Sequence, residues 1–147
     1  MIFLRVYLIK LYITKVSLRE LYDNGSYSDH FCGGSLIDSE YVLTAAHCVC
    51  FQNTADLKYG PNNLILALGI HQRNESLNAF NLYRVSAVIV HPGYSQSNFL
   101  YGIITNDVAL IKLSRKAEFS NTSSPICLPT SKDPSVIYNK QVVMTGW

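Results

Sequence analysis

The chain has 147 residues, of which 48% are hydrophobic and only 15% charged, and its formal net charge is +2. That length supports one domain with a real core but not two large ones. The composition excludes a disordered charged tail. The Lys and Arg residues do not cluster, which excludes the basic face that nucleic-acid binding requires.

The first stretch, Ile2 to Val16, is apolar but is interrupted by Arg5, Lys10 and Lys15. A signal peptide needs an unbroken apolar core of about 7–15 residues. A membrane-spanning helix needs about 20 apolar residues. The stretch satisfies neither, so residues 1–15 read as an atypical N-terminal segment and residues 16–147 as the domain.

Short apolar runs of period two follow, separated by turn-forming clusters. Strands are expected at Ile13 to Leu18, Phe31 to Ile37, Tyr41 to Thr44, Asn63 to Leu68, Arg84 to Ile89, Ala109 to Leu113 and Gln141 to Met144. In the fifth run, Val85, Ala87 and Ile89 share one face, with Arg84 and Ser86 on the other. In the sixth, Ala109, Ile111 and Leu113 alternate with Leu110 and Lys112. Turns are expected at Asp23-Asn24-Gly25-Ser26, Gly60-Pro61-Asn62-Asn63, His91-Pro92-Gly93-Tyr94 and Ser120 to Ser124. Phe51 to Asn63 and Ser95 to Asn106 read as long loops, which are commonly functional or mobile. No long segment carries a helical period. The pattern is that of an all-β barrel or sandwich.

Four cysteines, Cys32, Cys48, Cys50 and Cys127, occur with three Asn-x-Ser/Thr sequons at Asn24, Asn74 and Asn121. Together they tilt the reading toward a secreted, disulfide-forming protein whose three asparagines are candidate glycosylation sites.

The most informative stretch is Phe31-Cys32-Gly33-Gly34-Ser35-Leu36-Ile37, followed by Tyr41-Val42-Leu43-Thr44-Ala45-Ala46-His47-Cys48. It resembles, nearly residue for residue, the segment that presents the catalytic His in the chymotrypsin/trypsin family of serine endopeptidases. The second motif, Asn106-Asp107-Val108-Ala109-Leu110-Ile111-Lys112-Leu113, resembles the family segment in which an Asp opens a strand and orients that His. Asp23, Asp29, Asp38, Asp56 and Asp133 sit in turn-like contexts and fit no such pattern.

Val16 to Arg19, Leu68 to His71, Val90 to Tyr94, Pro125 to Pro129 and Met144 to Trp147 resemble further family segments, so the likeness runs from Val16 to Trp147. His91 reads as structural. His30 and His71 read as loop residues without a partner. His47, Cys48 and Cys50 are clustered as metal ligands can be. Zinc sites, however, pair cysteines at wider spacing and add a second pair elsewhere, which this chain lacks.

The resemblance implies the first antiparallel β-barrel of a two-barrel fold, with the second barrel missing, so that residues 16–147 form a partial peptidase domain. It implies a His-Asp-Ser triad acting on peptide or protein substrates without a cofactor. His47 is the general base and Asp107 orients it. A general base must be held in one orientation within reach of its nucleophile. The resemblance pairs Cys32 with Cys48, a link that constrains the unfolded chain by roughly 3 kcal/mol and pins the turn carrying His47. In many members of the family the cysteine matching Cys127 bonds to a propeptide chain; these residues include no such chain, so the alternatives for Cys127 are that bond or an unpaired thiol, and Cys50 is given no partner.

Three family features are not present in the 147 residues. These are the Gly-Asp-Ser-Gly-Gly-Pro nucleophile motif, the pocket that reads the substrate side chain, and the Ile/Val-x-Gly-Gly activation terminus. The expectation is a chain that does not cleave peptides by itself. The alternative is a non-catalytic homologue that uses the fold as a secreted binding or regulatory module, since fold alone does not fix function.

Overall fold

A computed structural model describes residues 14–52, 54–73, 75–98, 103–131, 133 and 146. Its strands are β1 (Lys15–Glu20), β2 (Cys32–Leu36), β3 (Tyr41–Thr44), β4 (Leu64–Leu68), β5 (Leu82–Val90), β6 (Ser95–Asn98), β7 (Ile103–Thr105) and β8 (Ala109–Leu113). One 3₁₀ turn, η1 (Ala46–Cys48), follows β3. Six strands close into an antiparallel barrel in the order β1-β2-β3-β8-β5-β4, and β6 pairs with β7 as a separate ribbon. Closure gives every barrel strand two partners and leaves no open edge.

The barrel follows from where the apolar residues fall. Val16 and Leu18 of β1, Leu36 of β2, Val42 of β3, Leu64 and Leu66 of β4 and Ile111 of β8 are all almost wholly buried in one cluster. Each such side chain contributes about 1.5–3 kcal/mol on leaving water. In β8 the expected alternation holds: Ala109, Ile111 and Leu113 are buried, while Leu110 and Lys112 are half-buried. β4 is buried on both faces, so its five residues read as a continuous apolar run. Its register against β1 sets Ala67 opposite Ser17 and Ile65 opposite Arg19, which are themselves buried.

Three expectations change. Val85, Ala87 and Ile89 do not share a face. The β5–β8 register slips between Val85 and Ala87, as a β-bulge requires, and this reverses the alternation. Tyr83 and Val85 point inward before the slip. After it, Val88 and Val90 pack on the core and Ile89 is exposed. Ser86 fills the bulge, its hydroxyl donating to the carbonyls of Lys112 and Leu113.

The second change is the run from Ser95 to Asn106, which is not simply a loop, because β6 and β7 pair within it. The third is at the start of the domain, where β1 runs Lys15–Glu20, two residues later than expected. Ile13 and the expected strand Gln141 to Met144 lie outside the described residues. The run Phe51 to Asn63 holds no strand among the described residues, only a bridge from Cys50 to Leu57 at its entrance.

Candidate active site

His47 lies in the middle of η1, immediately after β3. Ala46 beside it is fully buried, so only a small side chain lets the turn lie against the barrel. Cys48 forms a disulfide with Cys32 at the start of β2, with their Cα atoms 6.0 Å apart. Asp107 stands two residues ahead of β8. β3 and β8 are antiparallel neighbours with Thr44 opposite Ala109. The chain leaving β3 and the chain entering β8 are therefore at the same end of the barrel. Residues 60 positions apart in sequence meet there.

The meeting is bidentate. The ring Nδ1–H of His47 donates to Asp107 Oδ2 at 2.7 Å, and the backbone N–H of His47 donates to Asp107 Oδ1 at 2.9 Å. Burial by itself raises the Asp107 carboxyl. The hydrogen bonds from the His47 ring and backbone, the nearby His47 charge and the Ala46 N–H together outweigh it and hold the carboxyl below its ordinary value. Asp107 is thus an ionised acceptor. A carboxylate can only accept, so Nδ1 of His47 carries the shared proton, and in the neutral ring this leaves the lone pair on Nε2. Nε2 lies 3.7 Å from Cys48 Sγ. The His47 side chain is half exposed and that of Asp107 about a quarter exposed. The arrangement can take a proton at Nε2 and stabilise the imidazolium that results.

Clefts adjoin the pair on two sides. One, of about 500 Å³, runs along Gly33, Gly34, Leu43 and Thr44 to Asp107 and Val108. The other, of about 660 Å³, is walled by His47, the Cys32–Cys48 disulfide, Phe31, Phe51, Lys58 and Tyr59. Phe31 and Tyr59 stack there with ring centroids 4.6 Å apart.

His47, Cys32 and Cys48 form the metal-like cluster found among the described residues, with ligand atoms within 4.8 Å of one another. Both sulfurs are in the disulfide, so neither offers a thiolate, and Cys50 stands apart from the cluster. Cys50 is free and buried, and burial, followed by the charges of Asp107 and Asp56, pushes its thiol pKa up. Cys127 is free and exposed.

Of the other histidines, His91 is structural as expected, its Nδ1 accepting the Gly93 N–H at 3.0 Å. His30 does have a partner, contrary to expectation, because its Nδ1 lies 2.9 Å from the Ser17 hydroxyl on β1. Burial, then the charges of Arg73 and Arg19, lower its pKa. His71 is likewise not without a partner, contrary to expectation, its backbone N–H donating to Glu75 at 2.7 Å. Asn24 and Asn121 are exposed, and Asn74 lies outside the described residues.

Sequence reasoning missed Arg19, buried beneath the loops that follow β1 and β4. It donates to Ser17 Oγ and to the carbonyls of Ser28 and Arg73. The sequence signal was a charged residue that follows the apolar or small run Val16-Ser17-Leu18 within a strand.

Comparison with known proteins agrees with this geometry. The family model described as Trypsin matches residues 12–147. Trypsin-2 of Salmo salar is 36% identical over 118 residues, covering 80% of this chain and 43% of that protein. The clotting factor G beta subunit of Tachypleus tridentatus is 36% identical over 117 residues, 79% of this chain and 34% of that protein. Coagulation factor XI of Bos taurus is 34% identical over 118 residues, 80% of this chain and 17% of that protein. The chain spans less than half the length of these curated relatives. A His and an Asp joined at one end of a closed barrel, a disulfide beside the His and a family match over nearly all the sequence lead to one conclusion: the chain belongs to the trypsin family.

Proposed function

We propose that this chain supplies the general base and its orienting carboxylate to a serine-type endopeptidase, with residues 16–147 acting as one peptidase-type unit. The observation that carries the reading is the bidentate bond from His47 to Asp107, which fixes the ring and its tautomer at once. A binding module has no chemical need for an imidazole held this way.

The nucleophile comes from outside these residues, since no Gly-Asp-Ser-Gly-Gly-Pro occurs within them. In the reaction Nε2 of His47 takes the serine hydroxyl proton as the oxygen attacks the peptide carbonyl carbon. Asp107 stabilises the imidazolium. That proton then passes to the departing amine nitrogen as the C–N bond breaks. Water repeats the cycle on the acyl-enzyme, releasing the acid and restoring the serine.

The substrates in this reading are peptides or proteins. The Cys32–Cys48 disulfide and the sequons at Asn24, Asn74 and Asn121 support a secreted protein carrying glycans there. The free, exposed thiol of Cys127 suits a disulfide to a propeptide chain.

The test is peptide hydrolysis by the intact gene product. His47→Ala is expected to lower kcat by about 10²–10⁴-fold, the range for a positioned general base. The 147-residue chain alone is expected to show no hydrolysis. Turnover indifferent to His47→Ala would refute the assignment.

A further inference from the structure

Asn106, immediately before Asp107, has a φ of 51° and is the non-glycine residue found in the left-handed region among the described residues. L-residues rarely adopt that backbone, and Asn is among the few that tolerate it. The residue is exposed, so core packing does not hold it there.

Its side chain makes a long-range bond. Nδ2 donates to the carbonyl of Gly93 at 2.8 Å, in the turn that ends β5. The Asn106 carbonyl in turn accepts the Val108 N–H at 2.7 Å, and the Val108 carbonyl accepts the His91 N–H at 3.0 Å. The Gly93 N–H donates to His91 Nδ1 at 3.0 Å, fixing the same turn from within. Asp107 is therefore strung between two ties, one on each side in sequence, to the single turn His91–Tyr94. Position 93 leaves room for the first tie, because a Cβ there would lie 3.0 Å from Asn106 Nδ2.

We infer that Asn106 is a positioning residue for Asp107, its left-handed backbone and its amide bond to Gly93 together aiming the carboxylate at both N–H groups of His47. The inference rests on the proposed dyad and adds a residue to it. The hydrogen bonds described for Asn106 go to Gly93 and Val108 and not to His47. Asn106 acts through the turn.

The test uses the 147-residue chain with nitrogen-15-labelled histidine, following exchange of the His47 Nδ1 proton with water by NMR. Asn106→Gly keeps access to positive φ and loses the amide. Asn106→Asp keeps the tolerance of that backbone and has no N–H to donate. Should one variant fail to fold, the other carries the test. The backbone amide of Leu66 in β4 serves as the reference for global stability.

In each folded variant the ring proton is expected to exchange about tenfold faster, the factor that an ordinary net hydrogen bond carries, beyond any change at Leu66. A role confined to overall stability would move both signals alike. A folded variant whose ring proton changes no more than Leu66 overturns the positioning role. A wild-type chain with no protected His47 ring proton overturns the dyad, and the positioning role with it.

Discussion

Asp107 accepts two hydrogen bonds from His47, one from the ring and one from the backbone, so its charge and the position of His47 are a single energetic unit. Its carboxyl titrates below the ordinary value despite partial burial. A carboxylate whose pKa falls on folding stabilises the folded state at all pH above its unfolded value, about 3.9. That contribution is lost as pH falls through the depressed folded value. The unfolding free energy, from denaturant titrations, is therefore expected to fall more steeply with acid in the wild type than in Asp107→Asn once the pH drops below about 4. Parallel pH profiles for the two proteins below that pH would show that the bidentate bond contributes nothing to folding.

At this scale the sequence was legible wherever a residue sat inside a motif of fixed spacing, as His47 and Asp107 do. It was not legible where a pairing depends on three-dimensional packing. Ser17 and His30 are 13 positions apart and meet only because the chain folds back beside β1. Asn106 reads as part of a family motif, yet its left-handed backbone and its bond to Gly93 leave no mark on apolar periodicity.

Strand β2 explains why a barrel strand tolerates two glycines in succession. A Cβ on Gly34 would come within 2.8 Å of Val42 Cγ1 and 3.0 Å of the Leu43 carbonyl on β3. A Cβ on Gly33 would meet nothing nearer than the Val16 carbonyl at 4.0 Å. Gly34 thus lets β2 and β3 approach closely near the disulfide that carries η1. Gly34→Ala is expected to destabilise the fold by about 1–3 kcal/mol through overpacking, while Gly33→Ala stays within about 0.5 kcal/mol. Denaturation midpoints for the two variants check this, and equal losses would show that the contact at Gly34 relaxes freely.

Strand β5 marks the limit of periodicity as a guide. Strict alternation was right for β8 across its whole length and for β5 only as far as Val85. The slip that follows adds one residue and exchanges the faces, and nothing in the local composition announces it. The β6–β7 ribbon escaped for a different reason. Its segment lacks the alternation of apolar and polar residues that signals a strand with one buried face.

At the scale of the whole molecule, β8 closes the barrel by pairing with β3 on one side and β5 on the other, so that Thr44 faces Ala109 across a long stretch of sequence. β1 does the same with β2 and β4. Opening any one strand strips partners from two others and exposes the shared core, a single cluster spanning Val16 to Ala117. Such a barrel opens as one cooperative unit, since partial opening creates the unpaired edges that closure removes.

The ribbon β6–β7 stands outside this scheme, paired only within itself, and a lone two-stranded ribbon is marginally stable. Hydrogen exchange distinguishes the two behaviours. Ile111 is fully buried in β8 and is paired with β3 and β5 but not with β1 or β4. Ile111→Ala is expected to cost about 2–5 kcal/mol. That loss is expected to appear equally in the protection of the β1, β2 and β4 amides, while the faster-exchanging β6–β7 amides stay unchanged. Loss confined to β3, β5 and β8 would mean that the barrel unzips locally. The end of the barrel that holds His47 and Asp107 would then open independently of the rest.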